Sequence, residues 1–206
     1  MSVWFCRSIL QDFFSLTVSG EEHVPAEGPC IVASNHASFL DPPAVAAASG
    51  RNVYCFARSS LTGNKFSSWA FRSLRTIPVD RDGGNDLRSI REVLRRLQEG
   101  HALLLFPEGT RSSDGSIGAA QRGLGLLASV AQVPLVPARI FGSFEAWGRG
   151  SGAPKVFSPL HVAFGPALSS EDYDPGSGDR ERHQKISDLI MAHIGSLQLP
   201  GKNLTD

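Results

Sequence analysis

His36 and Asp41 are the first pair of residues in the chain whose types and spacing could perform chemistry. A carboxylate bonded to one imidazole nitrogen fixes the tautomer of the ring and leaves the other nitrogen free to act as a base. Five positions along a continuous helix would place the two side chains well apart around the axis, so a bend between them is required. An isolated pair of this kind is usually a core histidine and a helix-capping aspartate. Further residues must therefore support a catalytic role.

Two further polar segments follow predicted strands. Asp80-Arg81 comes directly after Thr76–Val79, and Glu108-Gly109-Thr110-Arg111 comes after Ala102–Phe106, much as His36 comes after an apolar run at 31–34. The carboxyl ends of parallel strands meet at one edge of a sheet. We therefore expect a base, two guanidinium groups and several carboxylates to converge in one crevice.

The elements that must position these residues alternate between short strands and helices. The segment from Asn85 to Glu99 has a strong helical pattern, and Gly100 ends it, while Pro134–Phe141 has the pattern of a buried strand. The length of 206 residues fits one domain. The sequence predicts a single α/β domain with a mostly parallel central sheet flanked by helices.

Residues 3–16 form a predicted amphipathic helix. Phe5, Ile9, Phe13 and Leu16 cluster on one side, and most of the polar residues lie on the other. Such a helix can dock on its own domain or lie in the plane of a membrane surface. We predict a membrane-interface helix at 1–16, a domain at 17–197 and a loose tail at 198–206.

Composition excludes several classes of protein. Twenty Lys and Arg residues balance twenty Asp and Glu residues, so no global charge favours nucleic acid. The three cysteines contain no Cys-x-x-Cys pair, and the histidines have no metal-ligand spacing, so we expect no metal site. No apolar run has the length of a membrane span, and no signal peptide is evident at the N-terminus.

Four short sequence blocks that occur in a fixed order connect these residues to one function. They are Asn35-His36-x4-Asp41, Ile77-Pro78-Val79-Asp80-Arg81, Phe106-Pro107-Glu108-Gly109-Thr110-Arg111-Ser112 and Val133-Pro134-Leu135-Val136-Pro137. From about Ser19 to Phe164 the chain resembles the glycerolipid acyltransferases, specifically those that act on 1-acyl-glycerol-3-phosphate. The resemblance implies transfer of an acyl group from acyl-CoA or acyl-carrier protein to the hydroxyl of a lysophospholipid, without metal or other cofactor.

The resemblance also implies a role for each site residue. His36 is the expected general base, and Asp41 orients it. The remaining expected roles are acceptor phosphate binding by Arg81, Arg111, Gly109 and Thr110; substrate positioning by Glu108 and Asn35; and an acyl channel lined by Pro134 and Pro137.

The expected product is phosphatidic acid, made by a peripheral enzyme at the cytoplasmic face of a membrane that holds the lysophospholipid. Three alternatives remain open. One is the same chemistry on another lysolipid, such as a lyso-ornithine lipid, and another is a non-catalytic lipid-binding protein. The third is a thioesterase, in which water replaces the acceptor.

A glycine pattern in a later helix admits a different interpretation. Gly123-x-Gly125-x-x-Ala128 fits a dinucleotide fingerprint, but the preceding segment, 112–121, is a polar loop and not a strand. We expect close helix packing to explain these glycines.

Overall fold

The computed structural model describes residues 3–58, 77–79 and 87–201. Its strands are β1 Thr17–Ser19, β2 Cys30–Ser34, β3 Val53–Arg58, β4 Ile77–Val79, β5 Ala102–Leu105, β6 Leu135–Phe141 and β7 His161–Phe164. Its helices are α1 Val3–Phe14, α2 Asp41–Ala48, α3 Leu87–Gln98, α4 Arg122–Ala131, α5 Ser143–Trp147, α6 Ser170–Tyr173 and α7 Arg182–Ser196. The predicted tail at 198–206 lies partly outside the described residues.

The strands form one seven-stranded sheet in the order β1-β7-β6-β2-β5-β3-β4. Every neighbouring pair is parallel except β6 and β7, which are antiparallel. The predicted α/β domain with a mostly parallel sheet is therefore confirmed. Because β1 pairs with β7 in parallel, these two strands both run opposite to the other five. Strand β1 occupies one edge of the sheet, and β7 lies inside it.

Strand β2 lies in the middle of the sheet, and all five of its residues are buried. Its alternate residues face two apolar layers, as the period of a strand requires. Cys30 and Val32 contribute to the layer that contains α1 and α2. Ile31 and Ala33 contribute to the layer that contains α3, α4 and α7. A strand buried on both faces explains the continuous apolar run before Asn35.

Helix α1 docks on the domain with only part of its apolar surface. Leu10 and Phe14 are buried, and Cys6 packs against the same core. Phe5 and Phe13, which belong to the predicted apolar cluster, remain 56% and 48% exposed. The buried face is thus rotated away from the centre of the predicted cluster. In the described part of the chain, no helix has the length and apolar character needed to cross a bilayer.

Helices α4 and α7 approach closely at Gly125. A Cβ atom added there would lie 1.8 Å from the backbone oxygen of His183. Only a shift of the backbone could remove this steric clash. The Gly125 N–H donates to Ser187 Oγ at 2.9 Å. Close helix packing is thus confirmed for Gly125. It does not explain Gly123, where an added Cβ would meet nothing within 4 Å.

We expect Gly125→Ala to lower the free energy of unfolding by about 1–3 kcal/mol, because the methyl group overpacks a helix–helix contact. Gly123→Ala is the matched control on the same helix. It should be neutral or raise stability by up to about 1 kcal/mol through helix propensity. Urea unfolding of both variants measures the difference, and equal midpoints would contradict this account of the α4–α7 contact.

Candidate active site

Two neighbouring strands deliver the first and third sequence blocks to the same edge of the sheet. Strands β2 and β5 pair in parallel, with Ala33 opposite Leu105. His36 follows β2, and the segment Glu108–Arg111 follows β5, so the structure brings these residues together. Asp80 and Arg81 lie outside the described residues.

The carboxylate of Asp41 organises the turn that follows β2. Its Oδ2 atom accepts hydrogen bonds from His36 Nδ1 at 2.8 Å, from the Ala37 N–H at 2.6 Å and from the Ser38 N–H at 2.7 Å. Asp41 is fully buried. It is the first residue of α2, and Leu40 is the N-cap. The turn from His36 to Asp41 is the bend that the five-residue spacing of this pair requires.

The imidazole of His36 is held in one orientation and keeps one nitrogen available. With Nδ1–H donating to Asp41, the Nε2 atom of the neutral ring carries the lone pair. Nε2 forms no hydrogen bond to the described part of the chain, and the side chain is 17% exposed. The ring stacks on Phe106, with centroids 4.0 Å apart and planes at 20°. This geometry suits a general base.

The backbone of His36 is fixed from the neighbouring strand. Glu108 Oε1 accepts the His36 N–H at 3.1 Å, and the Ser112 N–H donates to the His36 carbonyl at 2.8 Å. Burial raises the pKa of Glu108, although its hydrogen bonds from the backbone of His36 and Gly118 oppose this rise. In the described ranges Glu108 forms no ion pair with an arginine, and its carboxylate holds the backbone of His36. Its expected role in substrate positioning stays a prediction.

Gly109 shapes the turn after β5. Its φ of 69° lies in the left-handed region that favours glycine, and its N–H donates to the Phe106 carbonyl at 3.0 Å. That N–H is therefore used within the turn, and the expected role of Gly109 in phosphate binding stays a prediction. Thr110, the next residue, is exposed.

Arg111 lies beside the His–Asp pair. Its guanidinium stacks over the ring of Phe39 at 3.6 Å from the centroid. Burial and the nearby charge of Arg149 lower the pKa of Arg111, while Asp41 acts in the opposite direction. The charges of Arg111 and Arg149 are thus near each other, and guanidinium groups are the side chains best suited to bind a phosphate or carboxylate. No cluster of three His, Cys, Asp or Glu side chains in the described ranges could hold a metal ion.

Sequence reasoning missed the segment Trp147–Arg149 as part of this site. Ser38 Oγ donates to the Trp147 carbonyl at 2.8 Å, and Ser38 forms an antiparallel bridge with Gly148. Ser38 Oγ also accepts the Leu40 N–H at 3.1 Å, so this side chain serves the turn. No local pattern could have revealed this contact, because its partners are 109 positions apart.

Asn35 braces two strands and does not point at a substrate. Its Nδ2 donates to the Ile140 carbonyl at 3.2 Å, and its Oδ1 accepts the Ile140 N–H at 2.8 Å. Both ends of the buried amide are therefore occupied by the backbone of β6. The expected role of Asn35 in substrate positioning is corrected to a structural one.

The two prolines of the fourth block lie just before β6 and within it. Pro134 precedes β6, and its carbonyl accepts the Ile31 N–H at 2.9 Å, which places it at the amino end of the sheet. Pro137 is buried opposite Ala33, and its ring lies beside Gly165. Pro137 thus packs inside the fold, and the expected role of both prolines in lining an acyl channel stays a prediction.

We expect Asn35→Ala to lower the free energy of unfolding by about 1–3 kcal/mol, because it leaves the buried N–H and carbonyl of Ile140 without partners. Thermal unfolding measures this loss. Ser113→Ala, at an exposed loop residue, is the control and should melt like the wild type. An Asn35→Ala protein with an unchanged melt would contradict the bracing role.

Comparisons with known proteins agree with this arrangement. The family model described as Acyltransferase matches residues 15–141, more than half of the chain. A 1-acyl-sn-glycerol-3-phosphate acyltransferase of Pseudomonas aeruginosa is 28% identical over 96% of this chain and 76% of its own length. The corresponding protein of Bacillus subtilis is 27% identical over 82% of this chain and 87% of its own.

Two further comparisons show how much of a longer relative the chain covers and which fold it shares. A chloroplastic 1-acyl-sn-glycerol-3-phosphate acyltransferase of Brassica napus is 28% identical over 72% of this chain, and the match spans 43% of that protein. The crystal structure of the 1-acyl-sn-glycerophosphate acyltransferase PlsC from Thermotoga maritima superposes with a TM-score of 0.68 at 22% identity. This match covers 87% of this chain and 70% of that one, and it shows a common fold. The family match over residues 15–141 identifies the chain as a member of the Acyltransferase family, as its four blocks predict.

Proposed function

We propose that the protein transfers a fatty acyl group from a thioester to the free hydroxyl of 1-acyl-glycerol-3-phosphate, giving phosphatidic acid. The donor is acyl-CoA or acyl-carrier protein. The observation that carries the proposal is the hydrogen bond between His36 Nδ1 and Asp41, which leaves Nε2 of the partly exposed ring available. The names of the bacterial and plant relatives support the choice of acceptor.

In the proposed reaction, His36 Nε2 removes the proton of the acceptor hydroxyl as its oxygen attacks the thioester carbonyl. The buried carboxylate of Asp41 stabilises the imidazolium that forms. The C–S bond then breaks, and the imidazolium returns its proton to the departing thiolate. No acyl group is attached to the protein in this scheme.

The acceptor phosphate is proposed to bind beside the His–Asp pair. Arg111 and Arg149 supply positive charge there, and the Thr110 hydroxyl is an exposed donor on the same turn. A guanidinium forms two parallel hydrogen bonds to a phosphate, which suits Arg111 to this role. Arg81 keeps its expected role in phosphate binding as a proposal from the sequence alone.

The proposed enzyme works as a peripheral protein at the cytoplasmic face of a membrane. Helix α1 supplies the contact, since Phe5 and Phe13 are exposed although the helix is docked on the domain. Aromatic side chains on an amphipathic helix are typical of residues that enter a bilayer interface. The lysophospholipid acceptor then reaches the site from the membrane.

We expect His36→Ala to lower the acyl-transfer rate by about 10²–10⁴, the usual contribution of a general base. The thermal melt should stay near that of the wild type, because the ring is partly exposed. Thiol release from acyl-CoA measures the rate, and His193→Ala, on α7, is the control that should keep full activity. Full activity in His36→Ala would exclude this residue as the base.

The same assay separates the alternatives by its dependence on the acceptor. Acyl transfer requires that thiol release occur only when a lysolipid is present, and mass spectrometry of the product then identifies which lysolipid was used. Thiol release without any acceptor would indicate a thioesterase. Bound lipid without thiol release would indicate a lipid-binding protein.

We expect Arg111→Ala to raise KM for 1-acyl-glycerol-3-phosphate about tenfold to a hundredfold, because a charge-assisted hydrogen bond to phosphate is lost. KM for the thioester donor should not change. Arg122→Ala removes an exposed arginine on α4 and serves as the control. If Arg111→Ala left KM for the acceptor unchanged, or raised KM for the donor alone, the phosphate assignment would be wrong.

A further inference from the structure

The loop between α5 and β7, residues 148–160, presents an exposed aromatic side chain that the fold does not need. Phe157 is 71% exposed, and Val156 beside it is also exposed. Phe157 has a φ of 66°, in the left-handed region that bulky residues rarely adopt. Its N–H donates to the Phe13 carbonyl at 2.6 Å, which fixes this conformation at the end of α1. A strained backbone that holds an apolar ring in solvent calls for a functional reason.

Strand topology places this loop at the same edge of the sheet as His36. Strand β6 ends at this edge, and β7 begins there, since Phe141 pairs with His161. Strand β1 also begins there, because Thr17 pairs with His161. The end of α1 and the loop therefore both lie at the edge where β2 delivers the base.

The two ends of the loop contact the proposed membrane helix and the catalytic turn. Near its start, Gly148 forms the bridge with Ser38, two residues after His36. Near its end, the Leu160 N–H donates to the Phe14 carbonyl at 2.9 Å, and Phe157 contacts Phe13. The loop thus joins the end of α1, where Phe13 is exposed, to the turn that carries His36.

The charge of the loop matches an anionic surface. No Asp or Glu occurs between Glu145 and Glu171. Arg149 and Lys155 are both exposed, and neither forms an ion pair with the described residues. Basic side chains beside an apolar tip are the combination that holds a peptide segment at a bilayer containing anionic lipid.

We propose that this loop is a second membrane contact: Val156 and Phe157 enter the interface of an anionic bilayer, while Lys155 contacts the headgroups. This inference rests on the proposed function and extends it from α1 to the loop. Two anchors at separate points fix the orientation of the domain, so that the His36 edge faces the lipid. A single helix would leave the domain free to rotate about it.

Phe157→Gly is the sharpest test, because it removes the ring and relieves the positive φ at the same time. We expect its affinity for phosphatidylcholine vesicles containing phosphatidylglycerol, measured by co-sedimentation, to fall about tenfold through loss of a buried Phe. Its stability should stay equal or rise, which excludes unfolding as the cause. Val130→Ser is the control, since Val130 is 56% exposed on α4, on the other layer of the sheet. It should bind like the wild type.

Two further measurements separate the loop from α1 and from self-association. Phe5→Ser tests α1 alone: if it releases the protein while Phe157→Gly binds like the wild type, the loop proposal fails and the α1 contact stands. Sedimentation velocity tests for a second copy of the chain. If Phe157→Gly dissociates a dimer without affecting vesicle binding, the loop is a dimer contact and the proposal is overturned.

The charge and orientation arguments can be tested in the same way. Lys155→Gln should weaken binding about fivefold on vesicles with phosphatidylglycerol and have no effect on pure phosphatidylcholine. Phe157→Gly should turn over soluble short-chain substrates like the wild type and lose rate only on acceptor embedded in vesicles. Equal loss on both substrates would place Phe157 in the site itself and overturn its assignment to the membrane.

Discussion

The buried carboxylate of Asp41 is the group on which the rest of the site depends. A charge removed from water is costly unless hydrogen bonds replace its hydration, and here three donors meet one oxygen. Two of them are backbone N–H groups of the turn, and the third is the imidazole. The position of Asp41 in the first turn of α2 adds the favourable field of a helix N-terminus. One carboxylate thereby closes the turn, starts the helix and fixes the tautomer of His36.

His36 is held from two directions that do not share a strand. Asp41 fixes its ring from the helix after β2, while Glu108 and the Ser112 N–H fix its backbone from the segment after β5. Phe106, also from that segment, covers one face of the ring. A side chain fixed in this way loses little conformational entropy when a substrate binds beside it. Such positioning favours proton transfer. Residues of the first and third sequence blocks thus hold His36 together: the first block fixes its ring and the third fixes its backbone.

The sequence predicted the α/β domain and the His36–Asp41 pair because both depend on local patterns: alternating elements, strand exits and the order of the blocks. It could not predict which polar group each side chain would meet. Asn35, Glu108 and Gly109 are all polar or flexible residues at strand ends, yet in the structure they serve the backbone of Ile140, His36 and Phe106. Partners separated by tens of residues leave no periodic signal, and the same is true of the bridge between Ser38 and Gly148.

The reversal of β7 and β1 has a consequence for how a lipid could reach His36. In an all-parallel sheet, β1 would begin at the amino edge, and α1 would end far from the base. Because β7 runs back from Phe141 and β1 follows its direction, α1 ends at the carboxyl edge. The two antiparallel neighbours thus place the end of α1, with the exposed Phe13, and the adjoining loop at the same edge of the sheet as His36. An acceptor with its acyl chain in a bilayer could then bring its hydroxyl to Nε2 without leaving the membrane.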